Sequence, residues 1–137
     1  CGYEAIHSKK NSINYDFSIS ELSFVGDRTI NLKIKEKLNN YTQSKKDKDF
    51  ILRTSSTSEK IILAKNTAGD ATSFKSTISI NVEVLMNNKF KSNLIFLESF
   101  NYNNISNKFN LKKYEEEIKN NLTETALDKL IFKLSNI

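Results

Sequence analysis

The sequence predicts an α+β domain: a two-layer sandwich in which a four-stranded sheet, antiparallel or mixed, carries two helices on one face. Three observations lead to this prediction. Strand-like and helix-like segments follow one another in the order β-α-β-β-β-α. The last three strands are separated only by turns, which is typical of an antiparallel meander. Both helical segments have a single apolar stripe, and one sheet face is the surface that they can cover together.

The first strand is expected from Tyr15 to Gly26. Phe17 and Ile19 alternate with polar neighbours, as in a strand with one buried face. Leu22 and Phe24 follow the opposite parity. A β-bulge between the two pairs would account for this change, because one extra residue moves the following side chains to the other face.

The first helix is expected to begin after Asp27, because an aspartate carboxylate at this position can accept a backbone N–H of the first turn. The apolar residues that follow lie on one helical stripe: Ile30, Ile34, Leu38 and Tyr41. The charged run QSKKDKD then closes the helix as a solvated loop. After it, FILRTSSTSEKIILA has apolar pieces around a polar middle, which predicts one long irregular strand or two short strands.

The clearest strand signal lies between Phe74 and Leu85, after a turn that contains Gly69. One face of this strand is apolar and consists of Phe74, Ile78, Ile80, Val82 and Val84. The other face is polar and consists of Lys75, Thr77, Ser79, Asn81 and Glu83. A turn at Asn87 and Asn88 leads to a last strand with period-two residues Phe90, Leu94, Phe96 and Phe100.

A long final helix follows an Asn-rich connection. Its apolar residues step by three or four: Leu111, Tyr114, Ile118, Leu122, Ala126, Leu130 and Leu134. Residues 14–137 are therefore expected to form one domain, and the polar residues 1–13 are expected to form a tether in front of it. At 137 residues the chain is long enough to bury a core without a metal or a disulfide.

Composition favours an anionic partner, since the formal net charge is +5 and lysine supplies almost all of the positive charge. Nucleic acid is not expected as that partner, because the lysines are spread along the chain and the aromatic residues lie on predicted core faces. No apolar run approaches the roughly 18 residues of a membrane-spanning helix. The predicted domain therefore lies outside the bilayer.

The sequence lacks the usual combinations of catalytic residues. His7 is the only histidine and lies in the predicted tether, so neither a nucleophile–histidine pair nor a two-histidine metal site can form on a rigid element. The run Glu115 to Glu117 cannot converge on one substrate, because consecutive helical residues point in different directions. We expect a protein that is not an enzyme and that uses no metal or cofactor.

Two features point to function instead. Cys1 and Gly2 begin a polar tether, as in a bacterial lipoprotein after its signal peptide has been removed and its cysteine acylated; the alternative is an artificial start of the chain. Several acyl chains on one cysteine give stable membrane anchoring. The second feature is the face of Thr77, Ser79 and Asn81, which is polar yet poor in charge. It could lie against another polar wall, or it could be an ordinary solvated sheet face.

Taken together, the chain resembles the lipopolysaccharide-assembly lipoprotein family LptE over nearly its whole length. The resemblance depends on the order and spacing of several elements: Cys1-Gly2-Tyr3, the β-α-β-β-β-α order, the hairpin ILAKNTAGDATSF leading into ISINVEVL, the strand end ESFNYN, and the closing ALDKLIFKL. It implies a lipid-anchored protein on the periplasmic side of the outer membrane. Such proteins sit as a plug inside the β-barrel of their partner LptD, support its assembly and take part in lipopolysaccharide transport to the outer leaflet.

The resemblance also implies roles for individual residues. Cys1 matches the acylated cysteine of the family. Basic side chains near the hairpin that contains Asp70 and near the start of the last helix would contact lipopolysaccharide: Lys65, Lys75, Lys112 and Lys113. The polar face of Thr77, Ser79 and Asn81 would meet the polar barrel lumen.

The hairpin departs from many family members, since it is shorter and has Asp70 near its tip. Lys112 and Lys113 are close to the family's basic position and could be one residue out of register. For each lysine, a solvated surface charge remains the alternative. For the whole chain, the alternative is a free-standing, lipid-anchored periplasmic module that binds a ligand or a protein.

Overall fold

The computed structural model describes residues 16–137, and its elements follow the predicted order. They are β1 Ser18–Gly26, α1 Arg28–Leu38, β2 Asp49–Lys65, β3 Ala71–Met86, β4 Lys89–Asn103 and α2 Lys108–Ser135. A short 3-10 helix, Asn39–Thr42, extends α1. The predicted tether and Cys1 lie outside the described residues.

The four strands form one mixed sheet in the order β1-β2-β3-β4. β1 is parallel to β2, and the other two pairs are antiparallel. β1 ends at Gly26, opposite Ser56 of β2. Residues 57–65 of β2 therefore have β3 on one side and no described strand on the other, and the β2–β3 hairpin extends beyond the rest of the sheet.

The core lies between one face of this sheet and the two helices, which confirms the predicted α+β architecture. On β3 the predicted apolar face is buried, with Ile78, Val82 and Val84 fully covered. The helices contribute residues of the expected stripes, and α2 adds Leu127, which was not predicted; the expected residues in this core are Ile30, Ile34, Leu38, Ala126, Leu130 and Leu134. Neither helix of the described chain combines the length and apolar character needed to cross a bilayer.

Two β-bulges decide which side chains reach the core. In β1 the register shifts between Ile19 and Glu21, which confirms the predicted bulge. In β4 the register shifts so that Ser92 lies opposite Val84 while Phe90 lies opposite Leu85. The expectation that Phe90 continues the period-two set of β4 is therefore wrong, and its ring is 65% exposed.

Gly26, the last residue of β1, allows the backbones of β1 and β2 to approach closely. Its φ is +100°, and a Cβ built on it would lie 2.0 Å from the carbonyl oxygen of Ser56. That oxygen also accepts the backbone N–H of Asp27 at 3.0 Å, where the chain turns into α1. The absence of a side chain at Gly26 is thus a condition for the β1–α1 junction to form.

We predict that Gly26→Ala lowers the free energy of unfolding by more than about 3 kcal/mol, since a backbone clash adds to the cost of an unfavourable φ. Urea denaturation measures this loss. Gly69→Ala is the matched control, because Gly69 has a φ of +89° and no atom within 4 Å of its built Cβ. The control should lose only about 1–2 kcal/mol, the conformational cost alone. Equal losses in the two variants would contradict the proposed clash.

Candidate functional site

The far end of the β2–β3 hairpin is exposed and apolar. We define the hairpin tip as residues 61–71. Ile61, Ile62 and Leu63 are 42%, 51% and 45% exposed. The turn beyond them is held by Asn66, whose side-chain oxygen accepts backbone N–H groups of Ala68 and Asp70 at 3.0 and 2.9 Å. The tip is therefore an ordered element that presents aliphatic side chains to its surroundings.

The start of α2 lies at the same end of the molecule as the hairpin tip. Asn104, just after β4, donates its backbone N–H to Thr72 and its side-chain amide to Ala71, both at 2.9 Å. Asn107 then caps α2 by accepting the backbone N–H of Asn110. The first turn of α2 presents Phe109, which is 74% exposed.

The predicted ligand lysines are brought to this end. Lys65 is the last residue of β2, and Lys75 lies on β3 opposite Ile61. Lys112 and Lys113 are exposed on the first turns of α2. Aliphatic, aromatic and cationic side chains are thus found at one end of the molecule, with Lys75 on the side of β3 that faces away from the helices and Lys112 and Lys113 on α2. The role of each lysine as a ligand contact stays a prediction.

The predicted partner-facing residues Thr77, Ser79 and Asn81 lie on the sheet face opposite the helices. They are partly exposed. We call this side of the sheet the open face. β2 adds small polar residues to it, since Ser55 lies opposite Asn81 and Thr57 lies opposite Ser79.

The open face also carries apolar side chains that the sequence analysis did not single out. Ile95 and Leu97 of β4 lie opposite Asn81 and Ser79 and are 65% and 67% exposed. A signal was present in the sequence, because Leu94 to Leu97 are four consecutive apolar residues and a strand places two of them on each face. Nearby, Arg53 and Glu83 form an exposed ion pair of 3.0 Å, in the wall of a shallow groove of about 400 Å³.

A polar network joins the base of the hairpin to both helices. Asp27 caps α1 by accepting the backbone N–H of Ile30 at 2.9 Å. The other oxygen of its carboxylate accepts the Ser58 hydroxyl at 2.9 Å and the Lys119 ammonium at 2.7 Å. The sequence predicted the cap but not the two distant partners.

Burial raises the pKa of Asp27, but the hydrogen bonds from Lys119, Ile30 and Ser58, together with the charge of Lys119, outweigh that effect. The net result is a pKa below the ordinary value of 3.8. The side chains of Lys119 and Asp27 are 24% and 16% exposed, so their ion pair is shielded from solvent. The carboxylate form of Asp27 thus stabilises the fold.

A second set of contacts lies further out on the hairpin. The Lys60 ammonium is 2.8 Å from Glu115 of α2 and 4.2 Å from the centre of the Phe74 ring. The Tyr102 hydroxyl donates to the same Glu115 carboxylate, and burial together with this hydrogen bond raises the pKa of Tyr102. Beneath these groups, Phe74, Tyr102 and Ile118 form a small apolar cluster. The hairpin is therefore fastened to α2 before it reaches its exposed tip.

The fold is shared with several solved bacterial lipoproteins. Rare lipoprotein B from Shewanella oneidensis superposes with a TM-score of 0.66 and 13% identity, over 85% of this chain and 94% of that one. Lipoprotein B from Nitrosomonas europaea gives 0.64 and 16%, over 87% and 83%. A minor lipoprotein from Acinetobacter baumannii gives 0.63 and 10%, over 88% and 93%. At these identities the likeness is one of fold. No family model and no curated protein sequence matches the chain.

We predict that Asp27→Asn lowers the free energy of unfolding at pH 7 by about 1–3 kcal/mol, the usual worth of hydrogen bonds to a charged group. Asparagine can still cap the helix, so the change removes the charge that binds Lys119 and Ser58 and leaves the cap in place. Because the pKa of Asp27 is lower in the folded than in the unfolded chain, this stabilisation is complete above the unfolded value. It is lost as the pH falls through the folded value.

The difference in free energy of unfolding between the unchanged chain and Asp27→Asn should therefore shrink as the pH falls from 5 to 2. Urea unfolding at several pH values measures this difference. Asp128→Asn is the control, since Asp128 has a 67% exposed side chain and lies 3.8 Å from Lys37. It should have little effect at any pH. A difference for Asp27→Asn that stays constant down to pH 2 would show that the charge of Asp27 does not stabilise the fold.

Proposed function

We propose that this chain is a lipid-anchored protein of the bacterial outer membrane that plugs the β-barrel LptD and takes part in lipopolysaccharide transport. It supports assembly of that barrel and has no catalytic activity or cofactor. The proposal extends the resemblance to the LptE family. The observation that carries it is the presence of exposed apolar and basic side chains at the end of the molecule where the hairpin tip and the start of α2 lie.

Lipopolysaccharide presents two chemistries next to each other, apolar acyl chains and phosphate groups. Ile61, Ile62 and Leu63 offer exposed aliphatic surface at the tip. Lys65 and Lys75 supply positive charge close to it, and the lysines of α2 supply more. A lysine ammonium suits a phosphate as a point charge with three donors. The surface therefore has the chemical complement of lipid A.

The open face supports the barrel partner. A porin-like barrel lumen is polar, and Thr77, Ser79 and Asn81 present hydroxyl and amide groups with little charge. Burial of such groups against a polar wall allows each of them to find a hydrogen-bond partner, whereas a charged face would have to be desolvated at high cost. Within residues 16–137 the helices lie on the opposite face, and this part of the chain leaves the open face available to a barrel wall.

A lipid anchor is supported by the shared fold, because the solved structures that superpose on this chain are described as lipoproteins. Cys1 is the chain's only cysteine and is the acylation site in this proposal. The anchor would hold the domain on the periplasmic side of the outer membrane. A free-standing lipid-anchored module is the competing assignment, and the barrel partner distinguishes the two.

We predict that changing Lys65, Lys75, Lys112 and Lys113 together to glutamine weakens binding of purified lipopolysaccharide about tenfold, because exposed charge pairs contribute up to about 1 kcal/mol each and are not fully additive. Fluorescence titration of the full-length chain in mild detergent measures the affinity.

The control variant changes Lys45, Lys46, Lys89 and Lys91 to glutamine. These exposed lysines lie at the opposite end of the sheet, about 50 Å away along a strand the length of β2. The net charge changes equally in the two variants. An equal loss of affinity in both would mean that lipopolysaccharide is attracted by overall charge and not by the tip.

The barrel partner is tested by affinity purification of the tagged full-length chain from outer membranes. We expect a large β-barrel in equal amount, together with an acylated Cys1 peptide by mass spectrometry. Ser79→Lys with Asn81→Lys should reduce recovery of the barrel at least fivefold, since unpaired charges would be buried against its wall, at a cost above about 1 kcal/mol.

Asn120→Lys with Thr125→Lys is the control, because both residues are exposed on α2, on the other side of the molecule. It should recover the barrel normally. Recovery of an acylated chain without any barrel would exclude the plug and favour the free-standing module.

A further inference from the structure

β4 is an edge strand along its whole length. It lies at the end of the strand order and pairs only with β3 among the described elements. Its outer side therefore presents a row of backbone N–H and C=O groups that no strand of the described chain satisfies. Such an edge is a template for pairing with another strand.

Natural sheet edges are usually protected by charges, bulges or proline. The middle of β4 has none of these, since Ser92 to Leu97 contain no charged residue and no proline. The bulge at Lys91 lies at the beginning of the strand. Glu98 is the charged residue that follows this stretch, but its side chain is 15% exposed and is bound to Lys129 of α2 at 2.6 Å. Among the strands of the described chain, none occupies the central part of this edge, and its own sequence does not protect it from pairing.

The same part of the strand carries the exposed apolar pair Ile95 and Leu97, at 65% and 67% exposure. Both side chains point to the open face, on either side of Phe96, whose ring is buried in the core. A partner strand would thus gain two adjacent aliphatic contacts as well as backbone hydrogen bonds.

We propose that β4 pairs antiparallel with β4 of a second copy of this chain, about a two-fold axis at Phe96, to form one continuous eight-stranded sheet. In this register Ile95 lies opposite Leu97 of the second copy, and Leu97 lies opposite its Ile95. The four side chains form one apolar cluster on the open face. The proposal does not depend on the proposed function.

The charges of β4 fit this register. The two-fold axis places Asn93 opposite Ser99 of the second copy. Lys91 and Lys89 lie beyond the bulge that ends the regular edge, outside the paired stretch. No two like charges face each other, and Glu98 keeps its bond to α2. The register therefore brings no like charges together and places the two exposed aliphatic residues of one copy opposite those of the other.

The expected dimer is weak. Regular pairing covers Ser92 to Phe100, because the bulge at Lys91 ends the regular edge on one side and the two-fold axis repeats that limit on the other. One strand edge and a four-residue apolar cluster bury less than the roughly 1,200 Å² of a stable interface. Self-association should thus depend on concentration in the micromolar range or above.

Sedimentation velocity of the full 137-residue chain with Cys1→Ser, without lipid or detergent, tests the proposal. We expect a monomer–dimer equilibrium that Ile95→Lys shifts to monomer, with at least a tenfold weaker dimer. Val25→Lys is the control, since Val25 is 66% exposed on β1 at the far side of the sheet and should leave the dimer unchanged. Circular dichroism confirms that both variants are folded. A chain that stays monomeric up to about 1 mM would overturn the proposal. The edge of β4 would then be expected to pair with a strand of another protein, if with any.

Disulfide formation tests the register. Ile95→Cys and Leu97→Cys are made separately in the Cys1→Ser background and then mixed under mild oxidation. Opposite residues have Cβ atoms about 4.5–5.5 Å apart and diagonal residues about 7–8 Å. The mixed disulfide should therefore form faster than either homodimer. Faster formation of the homodimers would exclude the two-fold axis at Phe96.

Discussion

The burial of one sheet face by two helices is the interaction on which the rest of the structure depends. Apolar residues from all four strands and both helices meet in a single cluster, in which Phe50, Leu52 and Ile78 are fully covered. Burial of this kind is the main favourable term in folding. Because the two α-helices of residues 16–137 lie on the same side, these residues leave the other face, the outer edge of β4 and the end of the long hairpin uncovered. The open face, the hairpin tip and the edge of β4 are parts of the sheet that this core does not use.

The β2–β3 hairpin shows how an element can extend past the core and still be ordered. A two-stranded hairpin by itself is marginally stable in water. Here Phe74 and Tyr102 pack on Ile118, and Lys60 is held by Glu115. Asp27 ties the base of the hairpin to α1 and α2. The ion pairs are partly shielded, so they contribute more than exposed pairs would. Only beyond these contacts does the chain present Ile61 to Leu63.

Local sequence patterns predicted the elements well, because periodicity depends on neighbouring residues. The alternation on β3, the cap at Asp27 and the bulge in β1 all follow from residues close in the chain. Phe90 was misplaced because the bulge at Lys91 breaks a period of two without any turn residue to mark it. The exposure of Ile61 to Leu63 was not predicted either. It follows from where β1 ends opposite Ser56, which is a tertiary fact.

In the candidate site too, local sequence patterns predict single residues but not the contacts between distant parts of the chain. Lysines near a turn and near a helix start can be chosen from sequence, but the hydrogen bonds of Asn104 to Ala71 and Thr72 are what bring the two ends together. Lys119 and Asp27 are 92 positions apart in the chain, so no local pattern connects them. The edge of β4 could be recognised only once β4 was known to be the last strand of the sheet.

The two proposals compete for the same side chains. Ile95 and Leu97 lie next to Asn81 and Ser79 on the open face. A barrel wall that covered this face would cover Ile95 and Leu97 too, whereas a second copy of the chain would extend the sheet and use them at its seam. Pairing of two chains would also double the width of the sheet that a lumen must hold. The dimer would therefore be a form of the chain outside the barrel. In that form the β4 edge, which is prone to aggregation, pairs with the β4 edge of a second copy until a barrel wall covers the open face.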